Sequence, residues 1–262
     1  MWYDQMESGA DDLVYSDVPS KHTPGWTVDE HGLRVAAPDL QVLMHREFRA
    51  FALFLRRWAE AAGLPEPAEA EEFEGAARDA ATALQHLWVW RDEPAGDGYF
   101  AAYDVRARAH LDHRTYQLAW PLWEPGMVES PSQRDATIRA ITASDMWTAF
   151  GVRSTSSADA RYSNVNIIVP YSNWRGPVWP VQCGVIIAYA LARSGQQALA
   201  LQLGANIVSL LAADLRRTGG WHENYDSDTG LGLASPGFVS WTVCAADLID
   251  NLHAGIDPFA LD

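Results

Sequence analysis

Apolar residues recur at three- and four-residue spacing through several long stretches of the chain, which is the period of a helix with one buried face. The clearest stretch is LQVLMHREFRAFALFLRRWAEAA, where Leu40, Leu43, Met44, Phe51, Phe54 and Leu55 follow that spacing. Pro38 suits a first helical turn and Asp39 favours the same end, so a helix is predicted from Pro38 to a stop at Gly63, with Pro65 beyond. A second helix is predicted over Pro67 to Arg91, acidic at its start and apolar later at Ala80, Leu84, Leu87 and Trp88. Asp97 to Asp104, with Tyr99, Phe100 and Tyr103, reads as a short hairpin or strand. Further helices are predicted from Ser132 to Phe150 before Gly151, from Pro180 to Arg193 before Gly195, from Gln197 to Arg217 before Gly219-Gly220, and from Gly237 to His253 before Gly255. Residues 1–37 read as loop, rich in Asp, Ser, Pro and Gly. The pattern is therefore one of helical pairs separated by long, polar, aromatic-rich loops, and such loops in a compact domain are usually functional.

Composition narrows this picture. The 262 residues, 48% of them hydrophobic, suffice for one substantial core. No apolar run of about 18 residues stands out, so no transmembrane helix is expected, and the acidic N-terminus lacks the layout of a signal peptide. With 34 acidic against 19 basic residues, the net charge of −15 argues against nucleic-acid and anionic-membrane partners. Cys183 and Cys244 lie in apolar segments without metal-ligand spacing; they read as buried free thiols, which suits a reducing cytoplasm. Twelve tryptophans, several beside Gly, Pro and charged residues, offer flat faces that stack well on sugar rings.

Three segments concentrate chemistry. Met6-Glu7-Ser8-Gly9-Ala10-Asp11-Asp12 gathers three carboxylates around a glycine bend, and is either a solvated acidic loop or a tuned acid site. Tyr171 to Pro180 (YSNWRGPVWP) presents two tryptophans, an arginine and an asparagine before an apolar helix. Such a set suits a polyol, although the Gly-Pro-Val-Trp-Pro part equally suits a rigid helix entry. Trp221 to Gly230 (WHENYDSDTG) places Glu223 beside an imidazole, an amide and a phenol; it is either a water-activating site or a polar surface turn. Gly-rich phosphate loops, His-Glu-x-x-His and nucleophile elbows are missing from the sequence, which leaves carboxylates as the acid–base machinery.

Together the three segments resemble glycoside hydrolase family 63 and the related family 37 trehalases. The E-S-G-x-D loop is similar to the one that carries their general acid, which implies that role for Asp11. W-R-G-P-V-W (Trp174 to Trp179) resembles their sugar-binding loop, and E-N-Y-D-x-x-T-G resembles the segment with the general base, which implies that role for Glu223. The trailing G-F-x-S-W, Gly237 to Trp241, is also similar. The nearest resemblance within the family is to bacterial hydrolases of small solutes, glucosylglycerate and mannosylglycerate, a likeness that extends to the ending Asp250 to Phe259. Leu13-Val14-Tyr15-Ser16 follows Asp11 where trehalases and oligosaccharide glucosidases place an arginine, which favours the small-solute reading over those two.

The resemblance implies an all-α fold, an (α/α)6 barrel or six-hairpin toroid. Residues 1–262 would form one catalytic domain, the C-terminal portion of such a barrel and so incomplete at its N-terminus. It further implies hydrolysis of an α-glycosidic bond with inversion, a small-molecule carbohydrate substrate with no nucleic-acid or membrane partner, and no cofactor or metal. Trp174, Trp179 and Trp241 are the expected walls of the sugar subsite, with Arg175 and Tyr225 as hydrogen-bonders. The competing expectations are a trehalase or oligosaccharide glucosidase, a carbohydrate-binding remnant without catalysis, and an unrelated helical toroid.

Overall fold

The computed structural model describes residues 35–91, 96–105, 107–124, 126–128, 130–165 and 173–261. The first helix, α1 (Pro38–Ala62), starts as expected at Pro38 and ends at Gly63, whose φ of 66° lets its N–H reach the last carbonyls. Helix α2 (Ala68–Gln85) returns antiparallel along α1. Phe73 of α2 stacks on Phe48 and Phe51 at 6.2 and 5.4 Å. His45 Nδ1 meets the Ala77 carbonyl at 2.8 Å, and Arg56 donates to Glu66 and Glu74, both at 2.7 Å.

The sequence pattern overextends α2. Short strand β1 (Val35–Ala36) precedes α1, and Trp88–Arg91 is a strand, β2, paired antiparallel with β3 (Asp97–Phe100), Trp88 opposite Phe100. A Trp-Val-Trp run prefers pleated backbone, and Gly98 makes space for the neighbouring indole: a Cβ there would lie 2.6 Å from the Trp88 ring. Short strands β4 (Tyr103–Asp104) and β5 (Ala109–His110) join β1 in a three-stranded antiparallel sheet of order β1-β4-β5. Helix α3 (Pro131–Thr142) also stops early, because Ala143 turns to extended backbone at ψ 147°. The residues expected to continue it form a tight hairpin, β6 (Trp147–Thr148) and β7 (Gly151–Val152). Gly151 sits at φ 135°, and a Cβ there would fall 2.8 Å from Val178 and 2.9 Å from Ile207.

One central element has no counterpart in the sequence pattern. Tyr116–Trp123 is a 3-10 helix with all eight residues buried, packed between α1 and α4 (Ile186–Arg193). Apolar apart from Gln117 and holding Pro121, it shows no clear amphipathic period. Both of its ends are tied to α1. Gln117 donates to Asp39 at 2.8 Å, while Arg46 and Arg49 each donate to Glu124 at 2.6 Å.

A π-turn, Val181–Val185, leads into α4, and α5 (Gln197–Thr218) follows, close to the expected bounds. The single helix expected over Gly237 to His253 is instead a 3-10 turn, Trp241–Ala245, followed by α6 (Leu248–Ala254). Helix α5 is long and apolar enough by length and composition to cross a membrane, contrary to the expectation that no such stretch exists. In the fold it is a core helix, with Leu203, Gly204, Ile207, Leu210 and Leu211 buried among its contacts with α4 and α6. Both cysteines are free, but only Cys183 is buried; Cys244 is exposed because the 3-10 turn presents it outward.

Candidate active site

The three chemical segments of the sequence meet in part. Asp11, the expected general acid, lies in residues 1–34, outside the described residues; Tyr171 and Ser172, in residues 166–172, are outside them too. The other two segments lie side by side. Val178 and Tyr225 exchange both backbone hydrogen bonds, at 2.8 and 2.9 Å. On the other flank Ser154 accepts from the Tyr116 N–H and donates its own N–H to the Pro177 carbonyl, and its hydroxyl accepts from Gly176 N–H. Thr155 donates to the Trp174 carbonyl at 3.0 Å. Asn173, fully buried, donates to the carbonyls of Ser163 and Val165 and accepts from the Arg175 N–H. An irregular loop is thus held by side chains where no helix or sheet satisfies its backbone.

Trp174, Trp179 and Tyr225, expected at the sugar surface, are found in the packing, with exposures of 2, 1 and 0%. The two indoles stack face to face at 3.8 Å and 6°, with Tyr116 against Trp174 and the Trp179 N–H on the Asn173 carbonyl. Trp241 is half-buried beside Trp179 at 6.4 Å and Phe238 at 5.4 Å, and its indole N–H finds no acceptor among the described residues. Arg175 is half-buried at the turn between Asn173 and Gly176.

Glu223 is half-buried on a hairpin-like loop. Its N–H donates to the Ala234 carbonyl, Leu233 N–H to the Asn224 carbonyl, and Asp226 N–H to the Leu231 carbonyl. Gly230, at φ 70°, makes the turn. The fully buried Asn224 accepts from Ala234 N–H through its side chain. Ser235 donates to Glu223 Oε2 at 3.0 Å while holding φ at 50°, a left-handed conformation that costs a non-glycine residue on the order of 1 kcal/mol.

Beneath this loop lies Asp214, at 0% exposure on the last turns of α5. Its Oδ2 accepts from His222 Nδ1 at 2.8 Å and from the Tyr225 hydroxyl at 2.9 Å, while Oδ1 accepts from Arg217 at 2.8 Å. Burial alone would raise its pKa, but the His222, Arg217 and Tyr225 hydrogen bonds outweigh burial and hold it below the ordinary carboxylate range. The Tyr225 phenol is pushed above its ordinary value, first by burial and then by the facing carboxylate. Asp214 and Ser235 are not evident from motifs. The signal for Asp214 is its phase, because it continues the apolar series Leu203, Ile207, Leu210. Among the described residues no group of three or more His, Cys, Asp or Glu is placed to hold a metal ion.

A carboxylate with one hydroxyl donor, on a loop braced from below and from both sides, is suited to take a proton from a positioned water. Comparison with known proteins shows the family. The family model described as the mannosylglycerate hydrolase MGH1-like glycoside hydrolase domain matches residues 3–242. The chain belongs to this glycoside hydrolase family. Its fold is similar to the family 63 mannosylglycerate hydrolase of Thermus thermophilus, solved with Tris and with glucose. The TM-scores are 0.67 and 0.66 at 21% identity, over 95% of this chain. It is also similar, at TM-score 0.58 and 16% identity, to a neutral trehalase of Saccharomyces cerevisiae, over 88% of this chain and 42% of that one. A curated relative, the "Probable mannosyl-oligosaccharide glucosidase" of Schizosaccharomyces pombe, is 27% identical over 150 residues, or 53% of this chain. The chain spans 64% of the Thermus hydrolase in the Tris complex and 18% of the glucosidase.

Proposed function

We propose that this chain carries the catalytic residues of an inverting glycoside hydrolase that cleaves the α-glycosidic bond of a small glycoside such as glucosylglycerate or mannosylglycerate. The observation that carries this reading is the match of the MGH1-like family model across residues 3–242, which takes in both expected carboxylates. The barrel reading, an (α/α)6 toroid of which these residues form the C-terminal portion, rests on the likeness to the Thermus hydrolase and the trehalase.

In this mechanism Asp11 protonates the glycosidic oxygen while Glu223 takes a proton from a water attacking the anomeric carbon on the opposite face. Ser235 donates to Glu223 Oε2, and Oε1 is the oxygen that would take the proton from that water. The half-buried Trp241 and Arg175 are the sugar contacts, and the buried pair Trp174 and Trp179 with Tyr225 is the floor beneath them. A glycerate carboxylate would take an arginine partner.

The test is steady-state kinetics on mannosylglycerate, glucosylglycerate, trehalose and a glucosylated oligosaccharide, with Glu223→Gln and Asp11→Asn alongside. Turnover of a glycerate glycoside that falls by about 100-fold or more in both variants supports the proposal. Preference for trehalose or the oligosaccharide would support the specificities that the trehalase and glucosidase relatives suggest. Sugar binding without turnover would make the chain a binding domain.

A further inference from the structure

We propose that Asp214 is a positioning residue for Glu223, holding the general base in place through its two loop neighbours; this rests on the glycosidase reading above. His222 and Tyr225 flank Glu223, one immediately before it and one two residues after, and both donate to the same oxygen, Asp214 Oδ2. The Tyr225 hydroxyl also accepts from the His222 backbone N–H at 2.9 Å, so the side chains and backbone close a ring around the base of the turn. The ring is anchored on α5, a rigid helix, at a residue with no solvent exposure. A second brace sets its orientation. The His222 ring lies against Gly232 on the opposite limb of the loop, where a Cβ would stand 2.2 Å from the imidazole.

Glu223 itself has only the Ser235 hydroxyl as a side-chain partner among the described residues, so its direction is set mainly by the backbone that carries it. An ionised Asp214 satisfies three donors at once. An asparagine has one acceptor oxygen and an added donor, and leaves at least one of the three facing an N–H. Misplacement of a general base by a fraction of an ångström lowers the rate of the chemical step without removing substrate contacts.

The experiment compares Asp214→Asn and Tyr225→Phe with the unaltered chain and with Glu223→Gln. It uses kcat and KM on mannosylglycerate and glucosylglycerate, together with amide hydrogen exchange across residues 222–225. The expected result is a fall in kcat of about tenfold or more with KM within about threefold, and exchange faster by about tenfold or more at residues 222–225 with α1 and α2 unchanged. The double variant should lose no more than the worse single variant, because the two groups act as one unit. Unchanged kcat in Asp214→Asn, with Glu223→Gln inactive, overturns the positioning role and leaves the glycosidase reading standing. Full activity of Glu223→Gln overturns that reading and the positioning role with it. Unchanged exchange at residues 222–225 in Asp214→Asn overturns the proposal whether or not either sugar is turned over.

Discussion

Asp39 shows how a single carboxyl can be both helix former and liability. It sits in the first turn of α1, accepts from the Leu40 N–H and from Gln117, and is 3% exposed. Burial dominates these hydrogen bonds and pushes its pKa up from the ordinary 3.8 to about 6. The native state therefore binds this proton more tightly than the unfolded chain does. Its contribution to stability is fully present below about pH 4, is lost as pH rises through about 6, and is flat above that. Asp159, Asp214 and Asp228, held below the ordinary carboxylate range, work in the opposite sense and lose their contribution only in acid. Asp39→Asn isolates the first effect. Its stability relative to the unaltered chain should rise between about pH 4 and 7, by on the order of 2–3 kcal/mol, in paired thermal melts. A pH-independent difference would mean that Asp39 titrates normally.

Among the elements, those legible in the sequence are the ones with a stripe and a stop. Helices α1 and α5 end where Gly63 and Gly219 turn left-handed, and both lie within about a residue of the sequence pattern. Elements without such a signature are illegible. The Tyr116–Trp123 helix is apolar but for Gln117, and β2 reads as an extension of α2 because Leu84, Leu87 and Trp88 continue a helical spacing that only pairing with β3 overrules. At the site, Glu223 is legible from its neighbours along the chain, whereas Ser235 and Asp214 reach it only through a hairpin and a helix end that close in space. The 3-10 helix also ties distant segments together. At its end Glu124 accepts from Arg46 and Arg49, and Arg46 in turn lies 3.9 Å over the Trp123 ring and bonds the Phe259 carbonyl. Glu124 and Arg46 are both buried, so Glu124→Ala strands a guanidinium in the core. The expected loss is about 3–5 kcal/mol in denaturant unfolding, eased by adding Arg46→Met. A loss below about 1 kcal/mol would show the pair to be dispensable.

At the scale of the whole molecule, one apolar core gathers α1, the 3-10 helix, α4 and α5. The net charge of −15 suits an uncharged or weakly charged sugar better than a polyanion. Membership of the MGH1-like family supports glycoside hydrolysis, and the proposed mechanism adds one claim, that two carboxylates act on opposite faces of a sugar. That claim has a stereochemical signature, since inversion places the carboxyls ~6.5–9.5 Å apart with a water between them, and retention ~5–5.5 Å apart with a covalent intermediate. The most direct measurement is proton NMR of the anomeric signal in the first minutes of hydrolysis of an α-linked glycerate glycoside, before mutarotation mixes the products. The account predicts that β-sugar appears first, and that Glu223→Gln abolishes it. First appearance of α-sugar would contradict it, because Glu223 would then be a nucleophile or play no part in the reaction.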